Sequence, residues 1–303
     1  MSTSATTIRV SANGINFEVL TMGSGDRLAL CLHGFPEHAF SWRFQMPLLA
    51  RLGYRVWAPN LRGYGGTDSP PGVESYRVET LVADVVGLIE AAGAKETLLI
   101  GHDWGGFLAW MFAMRHPRVI HRLVILNVPH PACFNRELKR PAQMLKSWYM
   151  LFFQIPALPE FLLGIRQGRV IAKSIRRTSC DPARFPDEVI EVYRRNAARK
   201  GGLTAMINWY RALLRGGALN RRGDIVYPII QTPTLLLWGS ADRFFTAQAT
   251  AGTEEYVSDL TCRLLPGVSH WVQQEAPEAV NAMLEAWLGG TRAPEYSEAV
   301  SHK

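Results

Sequence analysis

One short stretch, Gly-His-Asp-Trp-Gly-Gly at residues 101–106, constrains the fold more than any other part of the chain. A largely apolar run at 97–100 leads into it, and a run with helical character at 107–113 follows it, which predicts a strand, a sharp turn and a helix. Gly101 and Gly105 remove side chains where strand and helix backbones meet, and they allow strained dihedral angles at Asp103. The stretch therefore predicts a nucleophile elbow that presents Asp103.

An aspartate at this position changes the chemistry that the turn can perform. A serine that attacks a saturated carbon leaves an ether, which water does not readily cleave, whereas a carboxylate leaves an ester that water can hydrolyse. Asp103 therefore indicates displacement at a saturated carbon. The competing interpretation is a loop aspartate that caps the following helix, and the other motifs of the chain have to decide between the two.

Strands and helices alternate along the first 132 residues. An opening hairpin is predicted around Asn13-Gly14. Buried strands are predicted at 28–32, 54–58, 97–100 and 119–126, with helices at 40–52 and 78–89 between them. Such alternation predicts a largely parallel sheet covered by helices on both faces.

The alternation stops at about Cys133 and resumes near Thr234. Residues 133–222 have a helical pattern throughout, and strands at 234–239 and 262–265 and a helix at 278–288 follow. We therefore expect one α/β core, made of residues 1–132 and 223–290, with an all-helical lid (133–222) inserted between its two parts. The tail, 291–303, is expected to be disordered.

Two loops after the resumed strands carry titratable groups, Asp242 and His270. Reactive groups in parallel sheets gather at the carboxyl ends of the strands, where both residues are placed. A lone histidine or aspartate is more often structural, and its position after these strands is what favours a catalytic role. We expect His270 to deprotonate water and Asp242 to orient the imidazole.

The loop His-Gly-Phe-Pro-Glu at 33–37 follows another buried strand. We expect the backbone amides of Phe35 and Trp104 to point at the carboxyl group of Asp103 and to form an oxyanion hole. For His33 and His102 we expect structural hydrogen bonds instead.

The distribution of charge along the chain indicates which classes of partner it can bind. The net charge is +7, and residues 133–222 hold 18 Lys or Arg against 6 Asp or Glu, a net charge of +12. A solvated helical face explains these cations better than nucleic-acid binding, because no known nucleic-acid module is visible.

We expect no membrane span and no metal site. Thiols in a reducing cytoplasm are expected for the scattered cysteines Cys31, Cys133, Cys180 and Cys262.

The stretches 33–37 and 101–106, together with Asp242 and His270, resemble the α/β-hydrolase-fold epoxide hydrolases, and the resemblance extends to about Leu288. It implies an α/β-hydrolase fold with a lid. It also implies hydrolysis of an apolar epoxide to a vicinal diol, without a cofactor, through an ester on Asp103.

The resemblance also assigns two tyrosines, which in this family donate to the epoxide oxygen from the lid. Tyr149, five residues before Gln154 in an aromatic stretch followed by proline, matches the first. Tyr210, in the motif Asn-Trp-Tyr-Arg at 208–211, matches the second. Opening an epoxide produces an alkoxide, and such a leaving group needs acids of this kind as it forms. The side chains expected to contact substrate are Phe35, Pro36, Trp104, Trp148, Phe152 and Phe153.

Other readings of the same residues remain open. Haloalkane dehalogenases also use an aspartate followed by tryptophan, but they often hold halide with an Asn where this chain has Phe35. Fluoroacetate dehalogenases carry an Arg where this chain has Trp104, although they share a Trp-Tyr pair in the lid. A ligand-binding homologue without catalysis is a weaker alternative, because no triad residue is missing. Substrate identity and a homodimer are left open.

Overall fold

A computed structural model of the protein describes residues 4–216 and 227–301. The strands are β1 (Thr6–Ala12), β2 (Ile15–Met22), β3 (Arg27–Leu32), β4 (Tyr54–Pro59), β5 (Thr97–His102), β6 (Ile120–Leu126), β7 (Thr234–Gly239) and β8 (Leu260–Leu265). The α-helices are α1 (Gln45–Arg51), α2 (Val78–Ala91), α3 (Trp104–Arg115), α4 (Pro131–Glu137), α5 (Pro141–Lys146), α6 (Trp148–Phe152), α7 (Leu158–Thr178), α8 (Asp187–Ala198), α9 (Gly202–Arg215), α10 (Val272–Glu275), α11 (Pro277–Leu288) and α12 (Tyr296–Val300). Short 3₁₀ turns lie at Ala39–Trp42, Val73–Tyr76, Pro182–Arg184, Ala247–Thr250 and Thr253–Glu255.

The strands form one sheet in the order β1-β2-β4-β3-β5-β6-β7-β8. β1 pairs with β2, and β2 with β4, in antiparallel fashion, whereas every pair from β4 to β8 is parallel. The predicted hairpin and the largely parallel sheet are therefore confirmed. Because the carboxyl ends of parallel strands meet at one edge, the loops after β3, β5 and β7 lie together there.

Each face of the sheet packs against its own hydrophobic core. Side chains alternate between the faces, so Leu99 belongs to one core whereas Leu98 and Ile100 belong to the other. The central strand β5 is buried along its whole length, which explains its continuous apolar sequence.

The lid helices α4–α9 lie between β6 and β7, which are neighbours in the sheet. They lie within residues 131–215, whereas the helical lid is predicted at 133–222, with an end outside the described residues; this division of the chain into core and lid stays a prediction. Helix α7 is broken at Ile165–Gly168, where three consecutive residues have left-handed backbone angles. Within 4–216 and 227–301, no helix has the length and apolar character needed to cross a membrane.

The prediction of a disordered tail is wrong for residues 291–301. This segment contains α12, which begins with a capping box in which Glu295 and Glu298 bond each other's backbone amides. Ala293 and Ala299 are buried in the core that α11 covers. The buried alanines anchor the segment to the domain, and the capping box starts its helix.

Candidate active site

The elbow holds Asp103 in the strained conformation that the sequence predicts. Its φ is 50° and its ψ is −121°, a combination that a non-glycine residue adopts only when its surroundings enforce it. A Cβ atom at Gly101 would lie 2.4 Å from the carbonyl oxygen of Gly105, and one at Gly105 would lie 2.1 Å from that of Leu32. Glycine is therefore required on both sides of the nucleophile.

The loop after β3 reaches the carboxylate of Asp103. The amide of Phe35 donates to Oδ1 of Asp103 at 2.7 Å. A Cβ atom at Gly34 would come within 2.3 Å of the Asp103 side chain, so only glycine allows this approach. Trp104 begins α3 directly after the nucleophile, and the contribution of its amide to an oxyanion hole stays a prediction.

His270 lies between two carboxylates. Its Nδ1 donates to Oδ2 of Asp242 at 2.7 Å, and its Nε2 is 3.5 Å from Oδ2 of Asp103. Burial alone would lower the pKa of His270, but the charges of Asp242 and Asp103 raise it to about 10. Burial favours protonated carboxyls, yet the proximity of His270 holds the pKa of both aspartates below the usual value.

Asn127 is a residue of the site that sequence analysis missed. Its Nδ2 donates to Oδ2 of Asp242 at 2.7 Å, and its Oδ1 accepts from the amide of Gly239 at 2.8 Å. The amides of Phe244 and Phe245 donate to the other oxygen of Asp242. Asn127 thus fixes the carboxylate that orients His270. The only sequence signal for it was a polar residue directly after a buried strand.

His33 and His102 make the structural hydrogen bonds that we expected. Nε2 of His33 accepts from the amide of Leu61 at 3.1 Å. Nδ1 of His102 lies 2.6 Å from the carboxylate of Glu37, and its Nε2 lies 2.8 Å from the carbonyl oxygen of His270. His102 and buried Glu37 therefore support the backbone of His270.

The two lid tyrosines meet above the nucleophile. Their ring centroids are 5.7 Å apart, and the ring of Tyr210 packs edge-on against Trp104 at 5.0 Å. Tyr149 comes from α6 and Tyr210 from α9. Burial, with the nearby charge of Asp103, raises the pKa of both phenols, so both stay protonated and able to donate at neutral pH.

A cavity of about 700 Å³ joins these groups. Asp103, Trp104, Tyr149 and Tyr210 all line it. Much of the remaining wall is apolar, and it includes Phe107, Met111, Val128, Phe134, Met150, Leu213 and Phe245. The size and lining suit a small organic ligand.

Several side chains predicted to contact substrate lie farther from this cavity. Phe35 and Phe153 pack against the ring of Tyr210, at 5.3 and 4.9 Å, and do not line the cavity. Pro36 is buried, and Phe152 packs behind Phe153 at 5.9 Å. Their contact with substrate stays a prediction.

Trp148 requires a correction. Its side chain is 62% exposed, and it is absent from the cavity lining in the described residues. It precedes Tyr149 in α6, so a rotation of about 100° along the helix directs the two side chains differently. Tyr149 faces the cavity and Trp148 faces solvent.

Comparison with known proteins places this geometry in a family. The sequence pattern of the alpha/beta hydrolase fold matches residues 30–162. Epoxide hydrolase 3 of Xenopus tropicalis is 37% identical over 93% of this chain and 77% of its own length. Epoxide hydrolase 4 of Homo sapiens is 36% identical over 93% of this chain and 78% of its own length. The chain belongs to the epoxide hydrolase family of α/β-hydrolase-fold proteins.

Solved structures of epoxide hydrolases share the whole architecture. An epoxide hydrolase from Bacillus megaterium, solved with an inhibitor, superposes with a TM-score of 0.83 at 30% identity and covers 93% of this chain and 100% of its own. Epoxide hydrolase A from Mycobacterium thermoresistibile gives 0.81 at 31% identity, covering 96% and 100%. The chain therefore has the fold of solved epoxide hydrolases over nearly its whole length.

Proposed function

We propose that this protein adds water to an apolar epoxide through a covalent ester on Asp103. The observation that carries the proposal is one cavity lined by a carboxylate and by two protonated phenols, Tyr149 and Tyr210. A carboxylate can attack a saturated carbon and still be released by water. The phenols supply protons and add no competing nucleophile.

In the first half-reaction, Oδ2 of Asp103 attacks one carbon of the epoxide. A carbon–oxygen bond of the ring breaks as the ester bond forms, and the leaving oxygen takes a proton from Tyr149 or Tyr210. The lowered pKa of Asp103 keeps the nucleophile ionised. The raised pKa of Tyr149 and Tyr210 keeps both phenols protonated, so each can act as an acid.

Ester formation removes the charge of Asp103, and the proton that His270 holds passes to the tyrosinate left by ring opening. In the second half-reaction, the neutral imidazole of His270 takes a proton from water, which attacks the carboxyl carbon of Asp103. Charge then develops on Oδ1, to which the Phe35 amide already donates at 2.7 Å. Collapse of this intermediate breaks the bond between the carboxyl carbon and the ester oxygen. The remaining proton of the added hydroxyl passes to that oxygen, so the diol is released and the carboxylate of Asp103 is restored. The imidazolium of His270 is stabilised by Asp242 at 2.7 Å.

The apolar cavity wall supports an apolar substrate. We also propose a cytoplasmic location. Among the described residues the four cysteines are free thiols, as expected in a reducing compartment, where disulfides are rare. Cofactor-free hydrolysis follows from the same scheme, because the described side chains supply nucleophile, acid and base.

The deciding experiment is a single turnover in ¹⁸O-labelled water with styrene oxide, cyclohexene oxide, a bromoalkane and fluoroacetate as separate substrates. We expect diol from an epoxide, with the label first in the carboxyl group of Asp103 and not in the diol. In a His270→Gln variant the ester should form and accumulate. Asp103→Ala is the matched control, which should form neither ester nor diol.

Other outcomes would replace the proposal. Halide release without diol would identify a dehalogenase and would give the tyrosines a different role. Label in the diol during the first turnover would mean that water attacks the epoxide directly. Normal turnover by His270→Gln would exclude the two-step scheme.

A further inference from the structure

The lid carries an apolar surface that the catalytic site does not use. In the described residues, nine of the fourteen exposed large apolar side chains fall within 144–165. Leu145, Trp148, Leu151 and Phe161 are 76%, 62%, 71% and 70% exposed. Single exposed apolar side chains are ordinary, but such a concentration marks an interaction surface. We refer to these nine side chains as the lid apolar face: Met144, Leu145, Trp148, Leu151, Ile155, Leu158, Phe161, Leu162 and Ile165.

Helical spacing aligns the lid apolar face along two segments. Exposed apolar positions are 144, 145, 148 and 151 along α5 and α6, and 158, 161 and 162 along α7 before its break, at which Ile165 is also exposed. Both sets follow the repeat of one side of a helix. On α6 the remaining side directs Tyr149 and Met150 into the catalytic cavity, so the same short helix serves both surfaces.

The segment that carries this face is rich in cations. Residues 139–177 contain eight Lys or Arg and only one acidic residue, Glu160. The carboxylate of Glu160 is already paired with Arg211 at 2.6 Å. The exposed cations are Lys139, Arg140, Arg166, Arg169, Lys173 and Arg177.

We propose that the lid apolar face docks on an anionic membrane surface. Exposed apolar side chains and exposed cations in one segment are the combination that binds the headgroup region of an anionic bilayer. A second copy of this chain would bring two segments of the same positive charge together, whereas anionic lipid neutralises that charge. A nucleic acid would match the charge but would leave the apolar side chains uncovered.

Docking would place α6 and its Tyr149 next to the phase in which an apolar epoxide concentrates, since apolar molecules partition out of water. The docking proposal stands apart from the proposed function because binding to vesicles needs no turnover. Loss of one would leave the other intact.

The test is co-sedimentation of the full chain with large vesicles, either of phosphatidylcholine alone or with phosphatidylglycerol added. We expect binding to the anionic vesicles and much weaker binding at high salt, which screens the cations. The variant Leu145→Gln/Leu151→Gln/Phe161→Gln should lower the affinity for anionic vesicles at least about tenfold. Arg166→Gln/Arg169→Gln/Lys173→Gln should also weaken it.

The matched control is Ile229→Gln/Leu264→Gln, which removes two exposed apolar side chains outside the lid. This variant should bind anionic vesicles like the wild type. Three results would overturn the proposal: no sedimentation with anionic vesicles at low salt, equal loss in the control, or a lid variant that binds unchanged. Light scattering that shows a dimer disrupted by the lid variant would instead assign the face to a second copy.

Discussion

At the sheet edge, Asp103 and Asp242 each follow the carboxyl end of a strand that is buried along its whole length. In the lid, Tyr149 and Tyr210 sit on separate helices, and α6 has solvent on its other side. The sheet thus fixes its groups through continuous backbone pairing, whereas the lid fixes its groups through side-chain packing between helices. The two parts of the site depend on different forces.

The same division separates the two half-reactions. In the proposed scheme, the lid supplies the acids that ring opening requires, and the sheet loops supply the base and the oxyanion donor that ester hydrolysis requires. The proposed scheme therefore expects changes of the lid tyrosines to slow formation of the ester and changes around His270 and Asp242 to slow its breakdown, whereas Asp103 itself is needed for both.

The largest effect that tests this division is expected from the double variant Tyr149→Phe/Tyr210→Phe. Removing both phenols should lower the rate of ester formation by about 10³-fold or more, because the alkoxide then has no acid. Each single variant should lose less, since the other phenol still donates. Stopped-flow measurement of ester formation in single turnovers gives the rate. If ester breakdown slowed instead, the division between lid and sheet would be wrong.

A smaller effect is expected at Asn127. Asn127→Gly removes the hydrogen bond to Asp242 without straining a residue whose φ is 44°. Breakdown of the ester should slow by about 10- to 100-fold, the kinetic equivalent of one buried hydrogen bond. Quenched-flow detection of the accumulated ester checks this.

Asn13→Gly is the matched control for Asn127→Gly. Asn13 also has a φ of 44°, and its Nδ2 also bonds an aspartate, Asp84, at 2.7 Å. It lies in the turn between β1 and β2, so ester breakdown should keep its wild-type rate. A matching loss in this control would mean that general destabilisation, and not the position of Asp242, sets the rate.

The pH dependence of stability also distinguishes the loops at the sheet edge from the lid helices. The pKa of His270 is raised from 6.5 to about 10 in the folded protein, so the carboxylates stabilise the fold fully below pH 6.5, and this contribution is lost as pH rises through about 10. The difference in free energy of unfolding between the wild type and His270→Gln should therefore shrink across this range, as measured by urea unfolding. For Tyr149→Phe the difference should stay constant below pH 10, the ordinary pKa of a tyrosine. A constant difference for His270→Gln would show that the histidine is not charged in the free enzyme.

The smallest effect is expected from Trp148→Ala. Trp148 is exposed on α6 next to Tyr149, so kcat/KM for a water-soluble epoxide without vesicles should change by no more than about twofold. Standard steady-state assays with Tyr149→Phe alongside give the contrast between neighbouring residues. A tenfold loss would place Trp148 against the substrate after all.

The sheet part of the site could be predicted from the sequence because each group is tied to a local pattern. A glycine-flanked turn after an apolar strand defines Asp103, and strand order places Asp242 and His270 at the same edge. The two tyrosines came from motifs of a known family, because no periodicity of the chain would have selected them among the other aromatic residues.

The remaining features depend on packing that a single sequence does not encode locally. Whether Trp148 or Tyr149 faces the cavity depends on how α6 is rotated against its neighbours. Asn127 acts through partners more than a hundred positions away in the chain. The tail did carry a usable signal, because Glu295 and Glu298 have the spacing of a capping box.

The adjacency of β6 and β7 has a consequence for how such a protein can change. The chain leaves the sheet after Leu126 and returns at Thr234, and Asn127 ties the departure point to Gly239 on the returning strand. The entropic cost of closing a loop rises only about 0.6 kcal/mol for each doubling of its length. The segment between β6 and β7 can therefore become longer or shorter, or be replaced, while its two ends stay paired in the sheet. The segment between β6 and β7 can thus be replaced, by evolution or by design, to form a different substrate pocket while Asp103, Asp242 and His270 stay in place.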